Sequence, residues 1–285
     1  MVRLTTLTSL IRGAYRVLVS TRESAVGLAM LLTLGILAIC LPYMGLPYFN
    51  SMEFPRLTPP TPKNVFGTDH LGRDMLTRVL WGARVSLMIG LCAAGLASVI
   101  GIILGSISGY FRGRVGTVID SLINVFQVIP AFFLALVFLV VFGSSMYLLV
   151  VVIAVTTWPM IARIMRAQVM SVKERLFVEA AKAIGCGDLR ILFKHVVPHA
   201  IPPALAYSIL EIGAAIIMEA GLSYLGLGDP NYPSWGRIIY EGQPYIISAP
   251  WISLVPGAFL VYTIVSINLI GNGLLKVIAP KLAQR

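Results

Sequence analysis

Long apolar runs, separated by polar stretches, form the main pattern of this chain of 285 residues. The runs cover 25–44, 85–111, 121–162, 200–218 and 246–275, and the third is long enough for two crossings with a turn at Gly143-Ser144-Ser145. Because a helix needs about 20 apolar residues to cross a bilayer, the pattern predicts six transmembrane helices. We therefore predict an all-α integral membrane protein of the cell membrane, in contact with membrane lipid.

The pattern also divides the chain into four parts. They are an N-terminal arm at 1–24, a first transmembrane helix at 25–44, an outer loop at 45–84 and a core of five transmembrane helices at 85–285. Composition supports this class, since 58% of the residues are hydrophobic and only 12% are charged, against about a quarter in soluble domains. The three cysteines stand far apart, so neither a disulfide framework nor a metal pair is indicated.

The net charge of +10 could suggest a nucleic-acid partner, but in a membrane protein the first question is on which side the charges lie. With the N-terminus inside, the inner segments hold sixteen of the 22 Lys and Arg residues and the outer segments hold six. The positive-inside rule therefore predicts that both termini are cytoplasmic. We expect no nucleic-acid partner.

A polar and basic segment at 171–203 interrupts the apolar pattern. Ser171 and Glu174 have the spacing of a capping box, which predicts a helix from there to Gly185. Gly187-Asp188 predicts a turn and the N-cap of a second helix at 189–197. We expect that helix to be ended by Pro198, Pro202 and Pro203, so that two short helices lie outside the membrane, in the cytoplasm.

Three stretches carry a resemblance to a known family. In the polar segment, the spacing of Glu179, Ala180, Ala181, Gly185 and Pro198 resembles the EAA loop of ABC importer permeases. The other two are GTDHLGRDMLTRVLWGARVSL at 67–87 and the pair of stretches at 219–228 and 233–236. Together they are similar to the C-type subunit of the dipeptide, oligopeptide and nickel branch.

The resemblance implies a type I ABC importer permease with a coupling role for the EAA residues and Asp188. It also implies the partners: a second homologous permease, two ATPase subunits at the EAA loop and an extracytoplasmic solute-binding protein. No phosphate-binding loop of the form G-x-x-x-x-G-K-[ST] occurs in this chain, so we expect ATP and magnesium on the ATPase subunits only. Peptides are the implied cargo, with nickel or oligosaccharides as alternatives.

The outer loop ends in a stretch with helical periodicity. From His70 to Trp81, one face is apolar, while Arg73, Asp74, Thr77 and Arg78 fall on the other. This predicts an amphipathic helix at the membrane interface. In the next run, Gly101, Gly105 and Gly109 form a ridge of small residues, which predicts a helix-packing face. The sequence does not show whether the partner helix lies in the same chain or in a second permease.

Polar side chains at membrane depth are costly unless they face protein or water, so they indicate a substrate path or a gate. The candidates are Asn124, Gln127, Glu211, Glu219, Asn268 and Asn272. An alternative function is a secondary carrier driven by an ion gradient through Asp120, Glu211 and Glu219, although we see no repeated half. His195 and His199 have a metal-ligand spacing, but we expect no metal site because Pro198 lies between them.

Overall fold

The computed structural model describes residues 21–40, 45–111 and 113–283, with side chains up to 277. Most of the predicted N-terminal arm, the end of the predicted first span at 41–44, and Arg112 lie outside this part. The helices are α1 Arg22–Cys40, α2 Met75–Tyr110, α3 Arg114–Val128, α4 Ala131–Phe142, α5 Met146–Val172, α6 Leu176–Ala183, α7 Asp188–Leu227, α8 Trp235–Gly242 and α9 Trp251–Ala283.

In the described part of the chain, five single helices are long and apolar enough to cross a membrane, and a bent pair brings the number to six if it counts as one span. The five are α1, α2, α5, α7 and α9. The pair is α3 and α4, which bend by 85° at Ile129-Pro130. Proline supplies no backbone N–H and restricts the preceding residue to extended conformations, so the chain cannot continue as one helix here. Gly185 and Glu241 lie at opposite ends of the bundle, which we call the Gly185 end and the Glu241 end.

The glycine ridge of α2 packs against α5 of the same chain. A Cβ on Gly101 would lie 2.7 Å from Cβ of Ile161, and a Cβ on Gly109 would lie 2.7 Å from the carbonyl oxygen of Arg166. Small residues thus let two backbones approach, as the spacing predicted. Helix α7 packs on the same pair of helices, and α1 packs on α9.

We predicted that a short second helix at 189–197 ends at the prolines, before a separate later span, and this prediction is wrong. The chain stays helical from Asp188 through Pro198, Pro202 and Pro203 to Leu222, and α7 reaches Leu227 across a kink at Gly226. A π-helical segment, Ile191–Val196, precedes Pro198 and widens the backbone where the proline ring would otherwise crowd a carbonyl. The start of α7 and the part of α7 that carries Glu211 are therefore joined by helical backbone.

The predicted interfacial helix from His70 to Trp81 is also wrong. The helix begins at Met75, where the Asp74 carboxylate caps it by accepting a 2.9 Å hydrogen bond from the backbone N–H of Thr77, and it runs on as the second span. Its polar face does not meet solvent, because Arg73 and Arg78 are buried. A second polar surface on α8, far away in sequence, covers them.

Candidate coupling surface and membrane cavity

The turn after α6 has the conformation that its glycine predicts. Gly185 has a φ of +79°, which is unfavourable for residues with a Cβ. The backbone N–H of Cys186 donates to the carbonyl of Ala181 at 3.1 Å, and that of Gly185 donates to Lys182 at 2.9 Å. These two bonds form a Schellman motif, which ends α6 and fixes the direction of the chain into α7.

The capping box that placed the start of this first helix at Ser171 is wrong. Ser171 lies in the last turn of α5, which ends at Val172, and α6 begins at Leu176. Helix α6 is therefore shorter than predicted and has only eight residues. A helix of this length is marginal alone, so its packing on the bundle must hold it in place.

Buried contacts supply that packing. Val178 and Ala181 face inward and join a cluster with Ile191, Leu192 and Val196 at the start of α7. The hydroxyl of Tyr110 donates to the carboxylate of Asp188 at 2.8 Å, and Nζ of Lys173 donates to the carbonyl of Gly109 at 2.8 Å. Helix α6 and the start of α7 therefore form one unit with the ends of α2 and α5.

The surface of this unit that faces away from the bundle carries large, solvent-exposed apolar side chains. Leu176 is 82% exposed and Ile184 is 81% exposed, and the side chains of Leu189 and Phe193 are exposed on α7. Glu179 and Ala180 lie on the same unit and are exposed, whereas Ala181 is buried against the cluster. We call Leu176, Ala180, Ile184, Leu189 and Phe193 the coupling surface, after the role that the sequence predicts for this loop. Of the two alanines, only Ala180 is available for close approach by another protein.

A polar cavity of about 370 Å³ lies beside the coupling surface. Glu179 and Asp188 line it together with Tyr110, Lys173, Glu174 and Lys182. The EAA glutamate and Asp188 are thus brought together, as expected for residues of one loop. Pro198 lies further along α7 and is exposed, and the ring of His199 contacts the backbone carbonyl of His195 at 2.9 Å.

Two of the six predicted path residues share one cavity inside the membrane layer. Gln127 and Glu211 line a cavity of about 290 Å³ at the break between α3 and α4, together with Thr157 and Pro159 of α5. Glu211 is only 5% exposed. The described residues place no cationic side chain within 4.0 Å of its carboxylate.

The other four candidates lie elsewhere. Asn124 accepts a 3.1 Å hydrogen bond from Arg163, and Asn268 and Asn272 are exposed on α9. Glu219 is fully buried, where it accepts hydrogen bonds from the hydroxyls of Ser86 at 3.0 Å and Ser223 at 2.6 Å. The six residues therefore do not line a single cavity in this conformation, and Glu219 holds α7 to α2.

Trp235 extends the Glu219 contacts to α8. Its backbone N–H donates to the hydroxyl of Ser86 at 3.3 Å, and its indole N–H donates to the carbonyl of Val79 at 3.0 Å. A Cβ on Gly236, the next residue, would collide with the backbone of Ala220. The two stretches at 219–228 and 233–236, noted in the sequence as a pair, thus form one packed unit.

A buried charge cluster at the Glu241 end was not found from the sequence. The Glu241 carboxylate accepts hydrogen bonds from Arg73 at 2.6 Å, Arg78 at 2.7 Å and Arg237 at 3.1 Å, and Asp69 also pairs with Arg73 and Arg78. Burial acts to raise the pKa of Glu241, but the guanidiniums of Arg78 and Arg73 outweigh it and lower the pKa to about 2. The sequence does contain one signal for this cluster. Arg237 and Glu241 have the i, i+4 spacing that lets two opposite charges pair on one face of a helix.

The described helices form a bundle in which at least five are long and apolar enough to cross a membrane, as in an integral membrane protein. The chain matches the model of the family described as binding-protein-dependent transport system inner membrane component over residues 101–284. It belongs to that family. The chain is accordingly a membrane-embedded permease subunit and not itself an enzyme, and the family implies an ATPase partner and a substrate-binding protein.

The relatives agree with this assignment, and a solved structure shares the fold. The chain is 34% identical to the oligopeptide transport system permease protein OppC of Bacillus subtilis (strain 168) over 93% of this chain and 88% of that protein. It is 36% identical to a protein of Brucella suis biovar 1 (strain 1330), provisionally named a peptide transport system permease, over 94% and 90%. An inward-facing structure of the MetNI methionine ABC transporter shares the fold, with a TM-score of 0.60 at 19% identity over 71% of this chain and 97% of that chain.

Proposed function

We propose that this chain is the permease subunit of an ATP-driven importer for peptides, driven by ATPase subunits bound at the coupling surface. One observation carries the proposal: Leu176, Ile184 and Leu189 are exposed on a unit, α6 and the start of α7, that is packed onto the ends of α2 and α5. Solvent-exposed apolar side chains on a well-packed unit are typical of a protein interaction site. Because helical backbone joins this unit to the part of α7 that carries Glu211, displacement of the unit moves that part as well.

The orientation of the bundle supports an ATPase at this end. The Gly185 end carries Lys173, Arg175, Lys182, Arg190 and Lys194, and we propose that it faces the cytoplasm. The Glu241 end then faces outward and receives the solute-binding protein. A cysteine at Asp188 in a cysteine-free chain should resist a membrane-impermeant thiol reagent in intact cells and react after permeabilisation. Labelling of intact cells would reverse the orientation.

The second membrane subunit is a further part of the proposal. Among the described residues, a cavity of about 290 Å³ is open at the break between α3 and α4. We propose that a homologous permease completes the path, with Gln127 and Glu211 at its lining. Peptide cargo is supported by the names of the relatives, and nickel or oligosaccharides remain the alternatives within the same branch.

The test of ATPase docking uses matched substitutions at the two ends of the bundle. Ile184→Asp should abolish co-purification of the ATPase subunits with the tagged permease, because a carboxylate would lose its water at an apolar interface. The control is Ile247→Asp, since Ile247 is 97% exposed at the opposite end. It should retain the ATPase subunits. Retention of the ATPase subunits by Ile184→Asp would remove the coupling surface from the proposal.

A further inference from the structure

The cavity at the break of the third span combines acceptors from three helices. Gln127 comes from the end of α3, Thr157 from α5 and Glu211 from α7. The buried Thr157 hydroxyl lies beside the Glu211 carboxylate, and its geometry is not that of an ordinary hydrogen bond. A buried polar group that is poorly bonded costs free energy, and its oxygen keeps lone pairs that a ligand's N–H could use.

The charge of the cavity favours a cation. Among the described residues that line it, Glu211 is the one ionisable group. The backbone carbonyls at the end of α3 also lack intrahelical partners and carry the negative end of the helix dipole. The start of α4 at Ala131 brings a positive dipole end to the same break, but its half charge is smaller than the full charge of a carboxylate.

We propose that this cavity binds a primary ammonium group, the amino terminus of the transported peptide. An ammonium has three N–H donors. The Glu211 carboxylate forms the ion pair, and the oxygens of Gln127 and Thr157 accept the other two hydrogen bonds. A lone charge at membrane depth is costly, and such a ligand compensates it with a charge of opposite sign.

The size of the cavity fits an end group rather than a whole peptide. Its volume of about 290 Å³ is at the lower limit of small-molecule sites, which begin at roughly 300 Å³. Recognition of an amino terminus is independent of side chains, which suits a carrier of varied peptides. The assignment of the ligand to cargo rests on the proposed function, whereas the affinity of the cavity for an ammonium group can be tested without transport.

The preference of the cavity for positive charge can be measured from the rates at which charged reagents modify a cysteine placed in it. In the assembled complex, with Cys40, Cys92 and Cys186 and the partners' cysteines removed, Gln127→Cys is treated with 2-aminoethyl and 2-sulfonatoethyl methanethiosulfonate. The first reagent carries a primary ammonium and the second an anion. We expect the ratio of the two modification rates to fall by about tenfold or more when Glu211→Gln is added. Glu211→Asp should keep most of the ratio.

The control reporter is Val125→Cys, which is exposed on the same helix outside the cavity lining. Its rate ratio should not change with Glu211→Gln. An unchanged ratio at Gln127→Cys would overturn the proposal. So would a Gln127→Cys thiol that neither reagent modifies in any nucleotide state, because a cargo site must open to its cargo.

A second measurement leaves Glu211 in place and so does not depend on the folding of its variants. With the thiol moved to another lining position, Ala131→Cys, all three acceptors are kept. Dialanine, with a free amino terminus, should slow the modification of this thiol by several-fold, and N-acetyl-dialanine should not. Equal slowing by both peptides, or by neither, would show that the cavity does not recognise an amino terminus. Slowing by sodium ions alone would assign the site to a metal cation instead. Failure of peptide uptake in the wild-type complex would count against the proposed function, not against this charge preference.

Discussion

The hydroxyl of Tyr110, the last residue of α2, donates a 2.8 Å hydrogen bond to the carboxylate of Asp188, the first residue of α7. This bond joins two membrane-spanning helices beside the coupling surface. If the turn around Gly185 moves during transport, as we propose, this bond would pass the movement to α2 as well as to α7. The bond holds the start of α7 against the end of α2.

Removal of this hydroxyl should loosen the coupling unit. A hydrogen bond to a charged acceptor contributes about 1.5 to 3 kcal/mol, and we expect Tyr110→Phe to lower the free energy of unfolding by an amount in this range. The complex should assemble but take up fewer peptides per ATP hydrolysed, as measured in proteoliposomes. Tyr147→Phe, at a position that is 82% exposed, should change neither quantity. Wild-type stability and wild-type uptake per ATP in Tyr110→Phe would contradict the coupling role.

Gly185 and Gly187 offer a comparison between two nearby glycines. Neither has an atom within 4 Å of a built Cβ, but φ is +79° at Gly185 and −66° at Gly187. A β-branched residue at Gly185 should cost on the order of 1 to 2 kcal/mol and misdirect the start of α7. We expect Gly185→Val to insert into the membrane but to lose ATPase stimulation by loaded binding protein, and Gly187→Val to keep it.

A third variant separates backbone conformation from side-chain size. Asparagine tolerates the left-handed conformation better than other residues with a Cβ, so Gly185→Asn should recover much of the stimulation that Gly185→Val loses. Equal loss in Gly185→Asn, Gly185→Val and Gly187→Val would mean that any side chain here blocks the ATPase. In that case the turn conformation has no separate role.

The glycine ridge makes a prediction about the packing of α2 on α5. A Cβ at Gly105 would collide with the carbonyl oxygen of Ala162, whereas a Cβ at Gly95 meets nothing within 4 Å. Overpacking costs about 1 to 3 kcal/mol, so Gly105→Ala should lower the thermal midpoint of the detergent-solubilised permease. Gly95→Ala should leave it unchanged or raise it, because alanine has the higher helix propensity. Equal midpoints in the two variants would show that the ridge is not tightly packed.

The apolar helices and the turn at Gly185 could be predicted because both depend on local sequence. Apolar length sets a span, and a glycine after a run of helix formers sets a C-terminal cap. The family resemblance rested on short stretches whose spacing is local as well. The three prolines of α7 misled because their effect depends on the π-helical segment Ile191–Val196 and on the neighbouring helices.

The path residues and the charge cluster depend on contacts across long sequence separations. Glu211 and Gln127 share a cavity only because α3 breaks at Pro130, and Glu219 lies in a packed contact because Ser86 reaches it from α2. The polar face at Arg73 and Arg78 resembled a solvent-exposed face because its partner, Glu241, comes more than 160 residues later. Periodicity gives the face of a helix but not the surface that covers it.

The charge cluster at the Glu241 end should make stability depend on pH with a defined sign. Glu241 lies on α8, outside the membrane-spanning helices, and its pKa falls from 4.5 to about 2 because Arg78 and Arg73 outweigh the effect of burial. The folded state therefore favours the ionised carboxylate. Its contribution is fully present above pH 4.5, decreases as the pH falls, and is lost below pH 2.

We therefore expect the free energies of unfolding of the wild-type chain and of Glu241→Gln to differ most above pH 5, by on the order of 3 kcal/mol. The two free energies should converge as the pH approaches 2. The Gln side chain keeps the size but cannot ionise, so it leaves the guanidiniums of Arg73 and Arg78 without one of their counter-charges. Melting curves in detergent across this pH range measure the difference. Glu53→Gln, at an exposed carboxylate, should follow the wild-type chain at every pH. A constant difference between wild type and Glu241→Gln from pH 7 to pH 2 would mean that Glu241 acts by packing and not by charge.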